Sequence, residues 1–257
     1  MIAHLAMYDR PETAAANDRL WDLVRARLGG GPERLTRDAD MWEVWQSPDL
    51  LLSQTCGCPY RTRLYGRVQL VGAPDYGLAG CPPGHYNSVF IARKADAGQP
   101  LSAFAGRAFA YNEALSQSGW AAPMVHLHAR NLLPGALVET GGHRASALAV
   151  AEGRADFASL DALSWEMIRR YDAFAGGLCE LERTAPTPAL PYITAPGQDA
   201  GALFTALEAA IRGLDADSRE TLNLQGLVQI PAAGYLAVPT PPGPVLTGQK
   251  IRAAELT

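Results

Sequence analysis

The chain has 257 residues, of which 48% are hydrophobic and 19% charged, and its formal net charge is -4. This balance is typical of a folded globular protein and excludes general disorder. The scattered basic residues form no basic face of the kind that a nucleic-acid-binding protein needs, and no run of about 18 apolar residues predicts membrane insertion.

The first 90 residues alternate short apolar strands with helices. Pro11 opens an amphipathic helix that passes through Leu20 and Val24 and stops at the glycines of residues 29–31. A second helical stretch carries Met41 and Trp45 on one side. Short apolar runs predict buried strands at residues 2–7, 49–53, 68–71 and 88–92.

The middle of the chain repeats this plan. Strands are predicted at residues 109–111, 137–139 and 156–160, and the helices that follow them begin at Ser116, His143 and Ser164. Three prolines make residues 183–194 extended rather than helical. A last helix covers residues 200–214, and the Pro- and Gly-rich tail after Pro239 is expected on the surface.

Strands separated by helices predict an α/β fold with two lobes, each a mostly parallel sheet flanked by helices. The extended segments at residues 88–93 and 184–191 have the character of two hinge crossings. The predicted outer lobe is therefore discontinuous, comprising residues 1–90 and 190–257. The inner lobe, residues 91–189, is inserted between the hinge strands.

Ser116, Gln117, Ser118 and Gly119 follow a strand and open a helix. Backbone N–H groups at such a helix start attract an anion, and hydroxyl side chains add further donors. Gly119 removes a side chain where an oxyanion could approach the backbone. The alternative interpretation is a helix capped by serine, with no ligand.

Two other strand ends carry polar residues. Gly141 and Gly142 precede His143, and Asp161 follows the strand of residues 156–160. Because open α/β folds place ligands at the carboxyl edge of the sheet, both side chains are candidate ligand contacts. Either could instead serve only as a helix cap.

The outer lobe offers three more candidates. Tyr8 ends the first strand, and Gln54 and Thr55 follow the strand of residues 49–53. These side chains could face the cleft between the lobes. They could equally be a rim aromatic and polar groups that satisfy the backbone of a turn.

No metal site, cofactor or catalytic residue is predicted. Cys56 and Cys58 are too close for a zinc knuckle, and either could pair with Cys81 or remain a free thiol. His126 and His128 alternate as two ligands on a strand would, without a third ligand. The sequence carries no phosphate-binding loop, dinucleotide fingerprint or nucleophile elbow.

Three segments resemble the phosphonate, phosphite and phosphate substrate-binding family of ABC transporters. They are FAYNEALSQSGWAAP at residues 109–123, the run that starts with GGHRAS at residue 141, and TAPTPALPYI at residues 184–193. The likeness extends to LLLSQTCG at residues 50–57. It implies the type 2 periplasmic-binding-protein fold, with phosphoryl oxygens gripped by Ser116, Gln117, Ser118 and Gly119 and with His143 as a further ligand residue. Gln117 stands where the family has a small hydroxyl residue.

The resemblance implies a solute-binding protein that captures a small oxyanion, phosphate-like or a phosphonate, in the interdomain cleft for ABC-type uptake. Its partners would be that anion and an ABC transporter permease, with no nucleic acid. The alternatives are a cytoplasmic enzyme, with His143 and Asp161 as an acid–base pair, or a ligand sensor on the same scaffold. The first ten residues show no secretion signal, so the expected compartment is the cytoplasm as written, or the periplasm if a leader has been removed.

Overall fold

The computed structural model describes residues 1–254, with twelve strands and ten α-helices in that range. The strands, in chain order, are β1 (Ile2–His4), β2 (Leu50–Gln54), β3 (Gln69–Asp75), β4 (His85–Tyr86), β5 (Ser88–Arg93), β6 (Ala108–Tyr111), β7 (Ala136–Glu139), β8 (Phe157–Asp161), β9 (Leu178–Arg183), β10 (Thr187–Pro188), β11 (Tyr192–Thr194) and β12 (Gly226–Val228).

The helices lie mostly between strands, as the alternating sequence pattern predicts. They are α1 (Ala14–Leu28), α2 (Met41–Gln46), α3 (Gly57–Pro59), α4 (Ala122–His128), α5 (His143–Ala151), α6 (Ala162–Tyr171), α7 (Ala200–Arg212), α8 (Ala216–Thr221), α9 (Ala232–Leu236) and α10 (Pro244–Ala254). Two π-helical segments, Tyr60–Leu64 and Gln117–Ala121, directly precede or extend these helices. Within residues 1–254, every helix is too short or too polar to cross a membrane.

The chain forms two compact units. The first contains Met1–Tyr86 and Thr187–Val238, and the second contains Asn87–Pro186 together with the described residues 239–254. In the first unit the sheet order is β1-β2-β11-β3-β12. Strand β1 runs parallel to β2, while β11 is antiparallel to β2 and β3, and β12 is antiparallel to β3.

The sheet of the second unit has the order β7-β6-β8-β5-β9. Strand β6 runs parallel to both β7 and β8, and β5 is antiparallel to β8 and β9. An aromatic cluster fills one side of this sheet: the ring centroids of Phe104 and Phe157 are 5.4 Å apart, and those of Phe109 and Phe157 are 5.0 Å apart. This aromatic core therefore stabilises the three parallel strands β6, β7 and β8.

The α/β class and the alternation of elements are confirmed, and both sheets are mixed. In the second unit, β5 runs opposite to the other four strands, which share one direction. In the first unit, β11 and β12 run opposite to β1, β2 and β3. A run of apolar residues does not encode strand direction, so the sequence pattern could not distinguish the two directions.

The tail after Pro239 is largely exposed, as predicted, but it contains a helix that was not predicted from the sequence. Helix α10 begins at Pro244, and this segment belongs to the second unit, whereas the sequence grouped residues 190–257 with the first 90. A hydrogen bond of 3.1 Å from Trp120 Nε1 to the Pro242 carbonyl joins it to that unit. Proline at the first position of a helix is the signal that could have indicated α10.

Candidate functional site

Three strand ends meet at one edge of the second unit's sheet. Strands β7 and β8 both run parallel to β6, so Glu139, Tyr111 and Asp161 mark the same carboxyl edge. The turns that follow these strands carry the polar residues singled out in the sequence. This edge is where open α/β sheets present helix starts to a ligand.

A buried turn begins the helix that follows β6. Ser116 is its N-cap, and Ser116 Oγ accepts a hydrogen bond of 2.9 Å from the Gly119 N–H. The Ala121 N–H donates to the Ser116 carbonyl at 2.9 Å, which is π-helical spacing. Because a π-turn bonds five residues apart, more leading N–H groups stay outside the helical ladder than in an α-turn.

Ser118 is held at both its side chain and its carbonyl. Ser118 Oγ lies 3.0 Å from His143 Nε2 at the start of α5. Ser159, a fully buried residue of β8, donates from its hydroxyl to the Ser118 carbonyl at 2.8 Å. Sequence reasoning missed Ser159, although a hydroxyl within an apolar strand, two residues before Asp161, was a usable signal.

His143 is a neutral imidazole in this environment. The residue is half-buried, and Nδ1 is shielded from solvent and has no hydrogen-bond partner among residues 1–254. Burial lowers the pKa of His143 from 6.5 to about 4. At neutral pH the ring therefore contributes a hydrogen-bonding group and no charge.

Gly119 has a packing role in the turn. A Cβ at this position would overlap Asn112 Oδ1 and would lie 3.2 Å from Ser116 Oγ. The missing side chain therefore makes room for Asn112 rather than leaving open space above the backbone. Asn112 is a second residue that sequence reasoning missed, because nothing in its spacing indicates contact with Gly119.

Asp161 caps α6 and is almost fully buried. Its Oδ1 accepts a hydrogen bond of 2.9 Å from the Ser164 N–H, and the residue is 2% exposed. Asp161 Oδ1 therefore caps the helix, as the alternative interpretation predicts. Its position at the end of β8 also keeps it on the edge that carries the other candidates.

An acidic pair lies at the same edge. The Tyr111 hydroxyl donates to Glu139 Oε2 at 3.2 Å. Burial, followed by the charge of Glu139, raises the pKa of Glu113 above its usual value. Burial also raises the pKa of Tyr111 to about 12. Sequence reasoning did not single out Glu113, whose partial burial depends on the fold.

Tyr8, Gln54 and Thr55 belong to the first unit, which is a separate compact body. Gln54 Nε2 donates to the Tyr76 hydroxyl and to the Leu190 carbonyl, each at 3.0 Å. Tyr8 packs edge-on against Tyr76, with ring centroids 5.4 Å apart. Tyr8, Gln54 and Tyr76 border a cavity of about 20 Å³, which has room for about one water molecule.

Thr55 is fully buried, and its hydroxyl has no hydrogen-bond partner within the described residues. The four cysteines, all within the described residues, form no disulfide with one another.

His126 and His128 do not form an alternating pair on a strand. Both lie in α4, where residues two apart point to different sides of the helix. His126 Nε2 is 2.8 Å from Glu182 Oε1. The stretch is too short for the spacing of its apolar residues to distinguish a helix from a strand.

The arrangement at the carboxyl edge of the second unit's sheet suits recognition of an anion. It combines the start of a helix, two serine hydroxyls and a neutral imidazole, all fixed by hydrogen bonds within the protein. Neutral donors of this kind stabilise an oxyanion through oriented dipoles and need no opposite charge.

A protein-family profile described as an ABC transporter, phosphonate, periplasmic substrate-binding protein matches residues 67–235 of the 257-residue chain. The match contains every candidate residue of the second unit. A search of curated protein sequences finds no match.

Solved structures show the same fold at low sequence identity. PhnD1 from Prochlorococcus marinus, in complex with methylphosphonate, has a TM-score of 0.67 and 16% identity, with 98% of each chain covered. XAC2383 from Xanthomonas citri, bound to chloride, has a TM-score of 0.65 and 16% identity, with 99% of each chain covered. A binding protein component of an ABC phosphonate transporter from Pseudomonas aeruginosa has a TM-score of 0.62 and 14% identity, covering 100% of this chain and 85% of that one. The expected type 2 periplasmic-binding-protein fold is confirmed.

Proposed function

The chain belongs to the phosphonate family of periplasmic substrate-binding proteins of ABC transporters, and from that premise we propose that it binds a phosphonate or phosphate-like oxyanion at the turn formed by Ser116, Gln117, Ser118 and Gly119. The observation that carries this proposal is the double fixation of Ser118. Its hydroxyl and its carbonyl are both held, by His143 and Ser159, at the start of a helix.

Physical chemistry explains why such a turn would suit an oxyanion. Donors that are already fixed lose little conformational entropy on binding, and the positive end of a helix favours negative charge. The turn is buried, with Ser116, Gln117 and Ser118 each 2% exposed. Hydrogen bonds from shielded donors to a charged group are stronger than those between neutral groups in water.

Tetrahedral phosphorus oxyanions are favoured over sulfate by the acceptors at the same edge. A phosphonate or phosphate monoanion carries a proton that a carboxylate can accept, and a sulfate dianion does not. Asp161 and Glu113 are the acceptors of the second unit that this discrimination would use. The proposed role of Asp161 is to accept a hydrogen bond from this protonated oxygen, in addition to capping α6.

The proposed partner is an ABC transporter permease, as the family's description implies. The family is periplasmic, which supports the periplasm as the place where the anion is captured. The enzyme interpretation with His143 and Asp161 as an acid–base pair has less support. His143 Nε2 is engaged with Ser118, and Asp161 Oδ1 caps α6.

A thermal-shift series tests the proposal. The ligands are methylphosphonate, phosphite, phosphate, sulfate, chloride and choline, each at increasing concentration. A ligand at one hundred times its Kd is expected to add about 2.7 kcal/mol to the free energy of unfolding. We expect a saturable rise of Tm with the phosphorus oxyanions and none with choline.

Two results would count against this function. One is a Tm that no phosphorus oxyanion raises. The other is conversion of methylphosphonate to a new phosphorus species, followed by ³¹P NMR, which would favour an enzyme.

A further inference from the structure

We propose that His143 is a positioning residue, a neutral imidazole whose Nε2–H donates to Ser118 Oγ and thereby directs the Ser118 hydroxyl proton toward the bound oxyanion. This inference rests on the proposed function, because it concerns how the same turn presents its donors. It differs from the role implied by the family resemblance, in which the histidine itself is a ligand residue.

The hydrogen bond of 3.0 Å between Ser118 Oγ and His143 Nε2 can hold its proton in two ways. If Ser118 donates, its hydroxyl proton points at the ring and only oxygen lone pairs remain for a ligand, which repel an oxyanion. If His143 donates, Ser118 keeps its own proton for the ligand. Only the second arrangement makes Ser118 a donor to an anion.

The environment of Nδ1 favours the same arrangement. Nδ1 is shielded and has no hydrogen-bond partner among the described residues. If Ser118 donated to Nε2, the ring proton would lie on Nδ1 as an unpaired buried donor, which is costly. With the proton on Nε2, Nδ1 presents a lone pair at the first residue of α5, a nine-residue helix, where the positive end of the helix dipole stabilises it.

The charged groups on neighbouring elements have other partners. Arg144, the next residue of α5, pairs with Asp172 at 2.7 Å. Asp161 caps α6, and Asp156 pairs with Arg93 at 2.9 Å, where α5 packs against the sheet. The dominant influence on the ring is therefore burial, which favours the uncharged form.

Ser159 restricts the remaining freedom of Ser118. Its hydroxyl donates to the Ser118 carbonyl at 2.8 Å, so the backbone of the turn is held in place by β8. With the backbone fixed and Oγ accepting from His143, the Ser118 O–H bond is restricted to directions that point away from the ring, where the oxyanion can accept from it. His143 thus determines the direction of a donor without contributing charge.

Nitrogen NMR of the five histidine rings tests this directly. The His143 signals are assigned by their loss in His143→Gln, and spectra are recorded from pH 5 to 8 with and without methylphosphonate. We expect the neutral Nε2–H tautomer in both states across this range. An imidazolium, or an Nδ1–H tautomer in the complex, would overturn the proposal.

Two substitutions give an independent readout. Gln places an amide donor near the position of Nε2, so His143→Gln is expected to keep the Kd for methylphosphonate within about threefold, whereas His143→Leu raises it about tenfold. His85→Gln, in the first unit, is the matched control and should leave the Kd unchanged. Equal losses in Gln and Leu would contradict a donor role.

The outcomes separate the two proposals. If wild-type protein shows no saturable binding of methylphosphonate or any other phosphorus oxyanion, the proposed function fails and this inference fails with it. If wild type binds and the ring is charged in the complex, the function stands and the positioning role of His143 is wrong.

Discussion

Replacement of Gly119 by alanine is expected to abolish most oxyanion binding and to destabilise the second unit by about 1–3 kcal/mol. The added Cβ would overlap Asn112 Oδ1, so either the Asn112 side chain or the whole turn must move. The Gly119 N–H, which donates a hydrogen bond to Ser116 Oγ, would shift with the turn. We expect the Kd for methylphosphonate to rise at least about tenfold, because donors to a charged ligand depend on position.

The steric cause can be isolated. The double variant Gly119→Ala/Asn112→Ala removes the overlapping atom. Its stability and its affinity for methylphosphonate should therefore be close to those of Asn112→Ala alone. Gly176→Ala is the control, since a Cβ there meets no atom within 4 Å. If Gly119→Ala binds methylphosphonate with the Kd of the wild type, the close contact between Asn112 and Gly119 is not required for binding.

Acidification is the second change with a large expected effect. The pKa of His143 is 6.5 in the unfolded chain and about 4 in the folded one. The folded state therefore binds fewer protons, and the stability due to the neutral ring is complete above pH 6.5 and is lost as pH falls toward 4. The full difference is about 3.5 kcal/mol at about 1.4 kcal/mol per pKa unit.

Urea unfolding at several pH values between 7 and 4.5 measures this contribution. His143→Gln should flatten the pH dependence by close to one proton in this window, even if its stability at pH 7 differs from wild type. His4 and His126 also have pKa values lowered by burial, so both proteins keep a common background slope. Parallel curves for wild type and variant would show that the His143 ring is not held neutral by the fold.

Much of the site could be predicted because helix starts and strand ends have local signals. Ser116 as an N-cap and His143 as the first residue of α5 follow from capping preferences alone. Parallel strands then bring their carboxyl ends to one edge, which predicts that Ser118 and Asp161 lie at the same edge of one sheet.

The contacts that fix the turn could not be predicted in the same way. Ser159 reaches the Ser118 carbonyl across 41 positions of sequence, and Asn112 fills the space above Gly119. Both contacts depend on how β6 and β8 pair and on the π-helical turn, which no periodicity encodes. The opposite directions of β5, β11 and β12 could not be predicted either, because a run of apolar residues does not encode strand direction.

The central claim is that Ser118 donates to a bound phosphorus oxyanion, and calorimetric titration of methylphosphonate into wild type and Ser118→Ala tests it most directly. Removing one hydrogen bond to a charged group costs about 1.5–3 kcal/mol, so the Kd should rise about ten- to hundredfold. Ser102→Ala, at an exposed serine of the same unit, should bind as wild type does. Equal affinities of wild type and Ser118→Ala would contradict the claim.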